Sequence, residues 1–467
     1  MKILFCGAAR TVTGSSHLII LNDGYKILLD CGLFQGQDAY EDENNLKFLF
    51  RPEEIDCLLL SHAHIDHAGR IPKLVNEGFR GKIICTSATK DLSEIMLADS
   101  AHIQEKDAQY INKKRKKRGL DLINPLYTIS DAEHALKQFF SIDYEHWYSI
   151  RPDVEILFRD NGHILGSGSI TLRIKEDNKI IRVGFTGDIG RPNRPILKNP
   201  KQMDDLDVLI CESTYGGRIH EAFPDDVNHL YEVIKSTCIN RKGKIIIPAF
   251  SIGRTQEIVY MLDKLHNEKN LDRIPVYVDS PLSTNATEIY RNHPECFDEE
   301  ISSYLKTDTN PFGFNNLQYI TDVEESKQLN FLQGPAIIIS ASGMAEAGRV
   351  VHHIANNIEN KNNTILMVGY CAKNTLGARI RNGEKEIKLY GELKQVKAQV
   401  EIMDSFSAHA DQKEIIDFLE NQNRNDLKKI FLVHGDYEEG QLPLKEILEK
   451  KQFQNILIPE RGQLETI

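Results

Sequence analysis

Several things that this chain has little of or lacks narrow the field before anything it contains does. No apolar run approaches the roughly 20 residues of a membrane span, so a helical anchor is not expected. The opening Met1-Lys2-Ile3-Leu4-Phe5 reads as a first strand and lacks the basic, apolar and cleavage regions of a signal peptide. The eight cysteines, Cys6, Cys31, Cys57, Cys85, Cys211, Cys238, Cys296 and Cys371, include no C-x-x-C pair, and several lie in apolar runs. They read as small buried hydrophobes in a reduced compartment, and a cytoplasmic enzyme fits both facts. Positive charge is in deficit, 57 Lys and Arg against 68 Asp and Glu, for a formal net charge of -11. That argues against a wholesale electrostatic nucleic-acid binder. It leaves room for an enzyme whose metal ions and local basic patch face the substrate. No internal repeat or low-complexity linker is evident.

What is present is the ordinary balance of a globular protein, 41% hydrophobic and 27% charged over 467 residues, enough for two or three domains. From Met1 to about Tyr215 short apolar runs alternate with turns. They are expected as strands at Lys2 to Phe5, Leu18 to Leu21, Lys26 to Leu29, Cys57 to Leu60, Lys82 to Cys85, Glu155 to Phe158, Ser169 to Ile174, Ile180 to Thr186 and Val208 to Ile210. Helical stretches fall at Ser87 to Gln109 and Asp131 to Phe140, so the class is layered α/β. Between them Lys113 to Arg118 puts six consecutive basic residues in an acidic protein. Such a run is either a solvated loop or helix end, or a patch that tracks phosphates. Tyr144 and Tyr148 read as a core face, with base stacking as the alternative, and Trp147 reads as packing.

From about Gly216 the texture changes to strand, helix, strand, helix. Helices are expected at Asp225 to Asn240, Arg254 to His266 and Ser283 to Arg291, and strands at Lys244 to Phe250, Pro275 to Ser280, Ala336 to Ser340 and Thr364 to Gly369. That is the reading of a parallel sheet. Because Val400 to Met403 and Ile430 to Val433 again lead into His-bearing loops, this second domain reads as an insertion. The expected boundaries are 1–215 for the first part of the outer domain, 216–398 for the insert and 399–467 for the return.

The densest chemistry lies in Ser61-His62-Ala63-His64-Ile65-Asp66-His67-Ala68-Gly69, directly after the apolar Cys57-Leu58-Leu59-Leu60. Imidazole with carboxylate suits zinc or a similar first-row divalent ion better than calcium or magnesium. On an extended loop His62 and His64 can chelate one ion while Asp66 and His67 turn past it towards a second, so two metals are expected.

This H-x-H-x-D-H stretch resembles the signature of the metallo-β-lactamase superfamily, and Asp30 in Ile27-Leu28-Leu29-Asp30-Cys31-Gly32 stands where that superfamily has an upstream structural Asp. The fold this implies is a four-layer αββα sandwich with metals at one edge between two sheets. In register with it, Gly162-His163 and Gly187-Asp188 resemble the third and fourth metal motifs. The resemblance assigns His62, His64 and His163 to one ion, Asp66 and His67 to the other, and Asp188 as the bridge. It implies two Zn2+ per chain, with Mn2+ or another divalent metal admissible.

Three further stretches resemble motifs A, B and C of the β-CASP nucleases: Leu209 to Gly216 containing Glu212, Ser405-Phe406-Ser407-Ala408-His409-Ala410-Asp411, and Phe431 to Asp436 containing His434. That group includes the nuclease subunit of the cleavage and polyadenylation specificity factor, ribonuclease J and Artemis. Asp279-Ser280-Pro281-Leu282, Ser342-Gly343-Met344 and Gly348-Arg349 look like marks of its inserted α/β domain. A His in motif C marks the RNA-acting members, and His434 would complete the second metal's shell. The resemblance makes Asp66, Glu212 and His409 catalytic, with His409 the candidate general acid and Glu212 orienting it. It gives Ser342, Gly343, Met344 and Arg349 to substrate, an ordinary glycine turn being the alternative for the first three.

The implied activity is a zinc ribonuclease on single-stranded RNA, endonucleolytic with room for 5′-exonuclease action, in RNA processing or decay, with no membrane partner and a homodimer left open. Two other readings compete. A hydrolase of a small thioester, lactone or lactam explains the metal motifs but not the insert. A catalytically silent RNA-binding subunit is at odds with seven filled ligand positions. Gly217 and Ala347 depart from the residues common in relatives. The amino-terminal RNA-binding domains of archaeal relatives and the carboxy-terminal domain of ribonuclease J are not expected.

Overall fold

A strand that is apolar at every position must be covered on both faces, and the outer domain is built from such strands. The structure, a computed structural model, describes residues 1–39, 44–220, 226–269, 271, 273–369, 371, 375–403 and 407–467. Asp225, expected at a helix start, and Ser405 and Phe406 of the expected motif B lie outside them. The chain divides into two compact units, one of Met1–Ile219 with His409–Ile467 and one of His220–Ala408.

The first unit holds two seven-stranded sheets. One runs, edge to edge, Leu464–Thr466, Lys2–Gly7, Ser16–Ile20, Lys26–Leu29, Cys57–Leu59, Lys82–Cys85, Phe139–Ser141. The other runs Ile456–Leu457, Lys429–Val433, Val208–Glu212, Lys179–Phe185, Gly168–Glu176, Val154–Asp160, Tyr148–Arg151. Between them Phe5, Ile27 and Leu59 from one sheet pack with Phe158, Phe185 and Phe431 from the other, all buried. Each such side chain stabilises the fold by about 1.5–3 kcal/mol. Alternate residues point outward, where Leu28, Leu58 and Ile83 meet helix residues Leu74, Leu97 and Ala132. On the far side Leu209 and Leu432 meet Ile415, Leu444 and Leu448. Helix, sheet, sheet, helix is the expected αββα order.

Tyr144 and Tyr148 pack against the inner core, as their core-face reading expects. His17 lies between Phe5 and Phe185 at centroid distances of 5.5 and 5.7 Å. Burial, helped by His434 and His67, pushes it down to about 3, so it acts as a neutral aromatic filler.

In the first unit two helix boundaries differ from the sequence reading. The first long helix runs Ser87–Lys117, 31 residues, straight through the basic run. Lys and Arg are good helix formers, and placed at the C-terminus they complement the helix dipole. The next helix is Ile129–Leu136, started by a capping box between Thr128 and Asp131. Its expected tail is instead the edge strand Phe139–Ser141, parallel to Lys82–Cys85.

The second unit is a six-stranded sheet in the order Leu317–Ile320, Val276–Asp279, Ala336–Ser340, Lys244–Pro248, Thr364–Val368, Gln399–Met403. Every pairing in it is parallel, as expected from the strand–helix alternation. The return to the first unit was placed at 399, but Gln399–Met403 pairs with Thr364–Val368 and so belongs to this sheet. Among the described residues no helix is long and apolar enough to cross a membrane.

Candidate metal centre

The centre is assembled from the ends of strands in both sheets of the first unit. His62 and His64 follow Cys57–Leu59, with Asp66 and His67 in the short helix Ile65–Ala68. His163 stands in the turn between Val154–Asp160 and Gly168–Glu176, Asp188 follows Lys179–Phe185, and Glu212 closes Val208–Glu212. His434 follows Lys429–Val433, and His409 precedes the helix Gln412–Leu419. Two glycines let these loops approach. A Cβ on Gly32 would lie 1.6 Å from the Asp66 carbonyl oxygen, and one on Gly190 would lie 2.1 Å from the Gly162 carbonyl.

Seven of the side chains expected as ligands fall into two clusters that share one carboxylate. His64 Nδ1 lies 3.1 Å from His62 Nε2 and 3.2 Å from His163 Nε2. Asp188 Oδ2 is 3.4 Å from both His62 Nε2 and His163 Nε2. In the other cluster His67 Nε2 lies 3.1 Å from His434 Nε2 and 3.2 Å from Asp188 Oδ1. His434 Nε2 is 3.6 Å from both Asp188 Oδ1 and Asp66 Oδ2.

These donor sets fit divalent ions. Bonds of about 2.0–2.1 Å from a tetrahedral zinc put its ligand atoms about 3.3–3.4 Å apart, close to the spacings in both clusters. Among the described residues Asp188 Oδ1 is buried without a hydrogen-bond partner, and the ion pairs of Asp188 are all with imidazoles. A buried carboxylate ringed by imidazole nitrogens calls for a cation.

Protonation points the same way. Burial, followed by the His67 charge, holds His62 well below its ordinary value; burial, followed by the His409 charge, does so for His163. Burial takes His64 down to about 4 against the pull of Asp66 and Asp188. Each of the three therefore has a lone pair to give at neutral pH. Burial also opposes a charge on His67, but Asp188 and Asp30 outweigh it and hold that imidazole well above the ordinary range. Positive charge is thus favoured where the second cluster gathers.

The outer partners fix which nitrogen faces inward. His67 Nδ1 lies 2.6 Å from Asp30 Oδ2, which leaves Nε2 for the cluster. Asp30 is itself held by the Ser61 N–H at 2.8 Å, the Ser61 hydroxyl at 2.9 Å and the Ser15 hydroxyl at 3.2 Å. His434 Nδ1 lies 3.0 Å from Thr214 Oγ1, and His62 Nδ1 3.1 Å from Ser61 Oγ. Asn161 donates to the Thr186 and Asp188 carbonyls, tying the His163 turn to the Asp188 loop. Of these only Asp30 was singled out from sequence. The signal for Ser61, Thr214 and Asn161 was their adjacency to ligand motifs; Ser15 had none.

His409 stands beside the clusters. Its Nδ1 is 3.3 Å from Glu212 Oε1 and 3.9 Å from Asp188 Oδ2. Burial opposes its charge, but Glu212 and Asp188 raise it to about 9. Glu212 is buried, accepting the Ile189 N–H at 2.5 Å and the Thr214 N–H at 3.3 Å, so it also holds the Asp188 loop.

Ser342, Gly343, Met344 and Arg349 belong to the second unit. Arg349, expected to meet substrate, is engaged within that unit. Its guanidinium bonds Asp279 Oδ1 at 2.7 Å and the carbonyls of Ile320 and Thr321 at 3.3 and 2.6 Å. Buried Asp279 also accepts from Ser326 and His353, each at 2.6 Å. A Cβ on Gly343 would lie 2.8 Å from the Phe250 ring, which accounts for glycine there by packing.

Comparison with known proteins agrees with this arrangement. The metallo-beta-lactamase superfamily profile matches residues 9–248, the Beta-Casp domain profile 255–380, and the profile of a Zn-dependent metallo-hydrolase RNA specificity domain 394–458. Ribonuclease TTHA0252 of Thermus thermophilus is 34% identical over 448 residues, 96% of each chain. Transcription termination factor FttA of Methanosarcina mazei is 29% identical over 451 residues, 93% of this chain and 67% of that one. A crystal structure of a protein of unknown function from Enterococcus faecalis V583 shares the fold, with a TM-score of 0.53 at 12% identity over 100% of this chain and 99% of that one. The paired His/Asp clusters are a divalent-metal site. The chain belongs to the metallo-β-lactamase superfamily, in the branch that carries an inserted Beta-Casp domain.

Proposed function

We propose that the protein is a zinc-dependent ribonuclease that hydrolyses phosphodiester bonds of single-stranded RNA. His62, His64, His163 and Asp188 would hold one ion, and Asp66, His67, His434 and Asp188 would hold a second. The observation that carries this reading is the placing of Asp188, one oxygen towards each cluster. When bound, a metal pair supplies Lewis acidity towards a water and a phosphate oxygen at neutral pH.

The protein's own groups do the rest. Asp30, Ser61 and Thr214 keep the imidazole lone pairs turned inward. His409 gives its proton to the leaving ribose oxygen, with Glu212 on Nδ1 setting the ring's orientation and favouring its charged form. Its raised value means that it is protonated at pH 7, the state a general acid needs. Gly343 and Met344 offer backbone N–H groups to phosphate, the Ser342 N–H facing the Ala347 carbonyl at 3.4 Å, and Arg349 contributes by holding Asp279. The eight buried thiols suit action in the cytoplasm.

Kinship with a named ribonuclease and the match to an RNA specificity domain support RNA as the substrate. A hydrolase of small thioesters, lactones or lactams leaves the second unit without a task. The test is a parallel incubation of the zinc-loaded protein with end-labelled single-stranded RNA, matched DNA, and a chromogenic lactam or thioester. Chelator-sensitive cleavage of RNA is expected; turnover of the lactam or thioester alone would overturn the proposal.

A further inference from the structure

The 31-residue helix Ser87–Lys117 joins the metal centre to the strongest positive patch in the sequence. Its N-terminal turn is fastened to the turn that carries His163: the hydroxyls of Thr86 and Thr89 both donate to the Gly166 carbonyl, at 2.6 and 2.8 Å. At 1.5 Å per residue, Lys114 stands about 40 Å along the helix from Ser87. From Lys106 to Arg118 there are seven basic residues and one acid, Asp107, in a chain of net charge -11. Lys113, Lys114, Lys116, Lys117 and Arg118 are exposed. Among the described residues none of the five forms an ion pair. Lys114 lies 4.2 Å over the ring of Tyr110, which is itself 60% exposed.

Complementing a helix dipole takes one or two cations in the last turn. Five cations without an acidic partner held together repel each other, which disfavours the arrangement unless anions gather there. An exposed aromatic among spaced cations is the pairing that binds single-stranded nucleic acid, phosphates on the cations and a base on the ring.

We infer that the basic end of this helix is a phosphate-binding exosite that holds RNA about 40 Å along the helix from its start beside the His163 turn. The inference rests on the ribonuclease reading. Its consequence is a length dependence: an RNA that fills only the metal centre does not reach the exosite, and a long one engages both.

The test compares the wild-type protein with K113Q/K114Q/K116Q/K117Q/R118Q and with K113R/K114R/K116R/K117R, leaving Arg115 to bond the Asp121 carbonyl. Each is bound to, and incubated with, single-stranded RNAs of about 5 and about 40 nucleotides, the shorter lying within a single-site footprint. For the long RNA the Gln variant should bind at least about 10-fold more weakly at low salt. Its slope of log affinity against log salt should be shallower by about 0.7 for each phosphate no longer neutralised. The Arg variant should match wild type, and cleavage of the short RNA should be the same in all three. A Gln variant that binds the long RNA with wild-type affinity and slope would overturn the exosite while leaving the ribonuclease reading intact. Wild-type protein that cleaves neither RNA would overturn the ribonuclease reading, and the exosite with it. Loss of binding to anionic phospholipid vesicles, with RNA binding unchanged, would assign the patch to a membrane surface instead.

Discussion

Asp30→Asn perturbs the second cluster without touching an atom that faces it. Asp30 occupies the left-handed backbone region at φ 57°, where Asn is tolerated almost as well as Asp, so the substitution adds no backbone strain. The two carboxylate oxygens receive four donors: the Ser61 N–H on Oδ1, and the Ser61 hydroxyl, the Ser15 hydroxyl and His67 Nδ1 on Oδ2. An amide keeps one of those acceptors and turns the other into a donor. Whichever way it is flipped, an N–H faces either the Ser61 N–H or His67 Nδ1. The first arrangement leaves a buried donor unpaired, at a cost of about 1–3 kcal/mol of stability. The second favours the tautomer that protonates Nε2 and closes that lone pair. Loss of such an outer partner typically weakens metal binding about 10- to 100-fold. That corresponds to about 1.4–2.7 kcal/mol. Chelator competition followed by elemental analysis should find one ion held as in wild type and the other weakened by that factor. Two ions held with wild-type affinity, or two weakened equally, would refute the reasoning.

His409→Ala should keep metal and RNA affinity while cleavage falls about 10²–10⁴-fold, and the defect should shrink on RNA with sulfur as the leaving atom, which needs no proton. Metal loss in that variant, seen by elemental analysis, would make His409 a ligand instead. Glu212→Gln should give a smaller defect in the same direction, read in the same single-turnover assay. Gly32→Ala forces a Cβ to within 1.6 Å of the Asp66 carbonyl, so thermal melts should show a loss of more than about 2 kcal/mol. Asp160 is raised from 3.8 to about 7, chiefly by burial, against the Gly162 N–H and Lys198. An acid shifted that way contributes stability below about pH 4 that is lost as the pH rises through 7. Asp160→Asn removes that dependence, so melts of the variant should gain on wild type between those pH values and not below them.

Most of the metal centre was legible because its chemistry is local. His62, His64, Asp66 and His67 share one loop, and the continuous apolar runs before them could only be buried strands. The bounds of Lys26–Leu29 and Lys82–Cys85 are those read from sequence, since each is an apolar run with turns on both sides. What escaped depends on partners far away in the chain. Leu464–Thr466 is a strand because Lys2–Leu4 lies beside it, and nothing in Leu-Glu-Thr says so. Gln399–Met403 was given to the wrong unit because local pattern marks a strand but not its neighbour. Ser15 acts through Asp30 and the Asp66 carbonyl, and Asn161 through the Thr186 and Asp188 carbonyls and the Gly190 N–H. The helix was cut short at Gln109 because a basic run resembles a loop in sequence, whereas its residues are good helix formers.

The most direct measurement of the central claim is cleavage of single-stranded RNA by metal-stripped protein to which zinc is restored in measured equivalents. Two ions sharing Asp188 should leave the protein nearly inactive at one equivalent and bring activity up to its plateau at two. A plateau reached at one equivalent, or no RNA cleavage at any loading, would contradict the account.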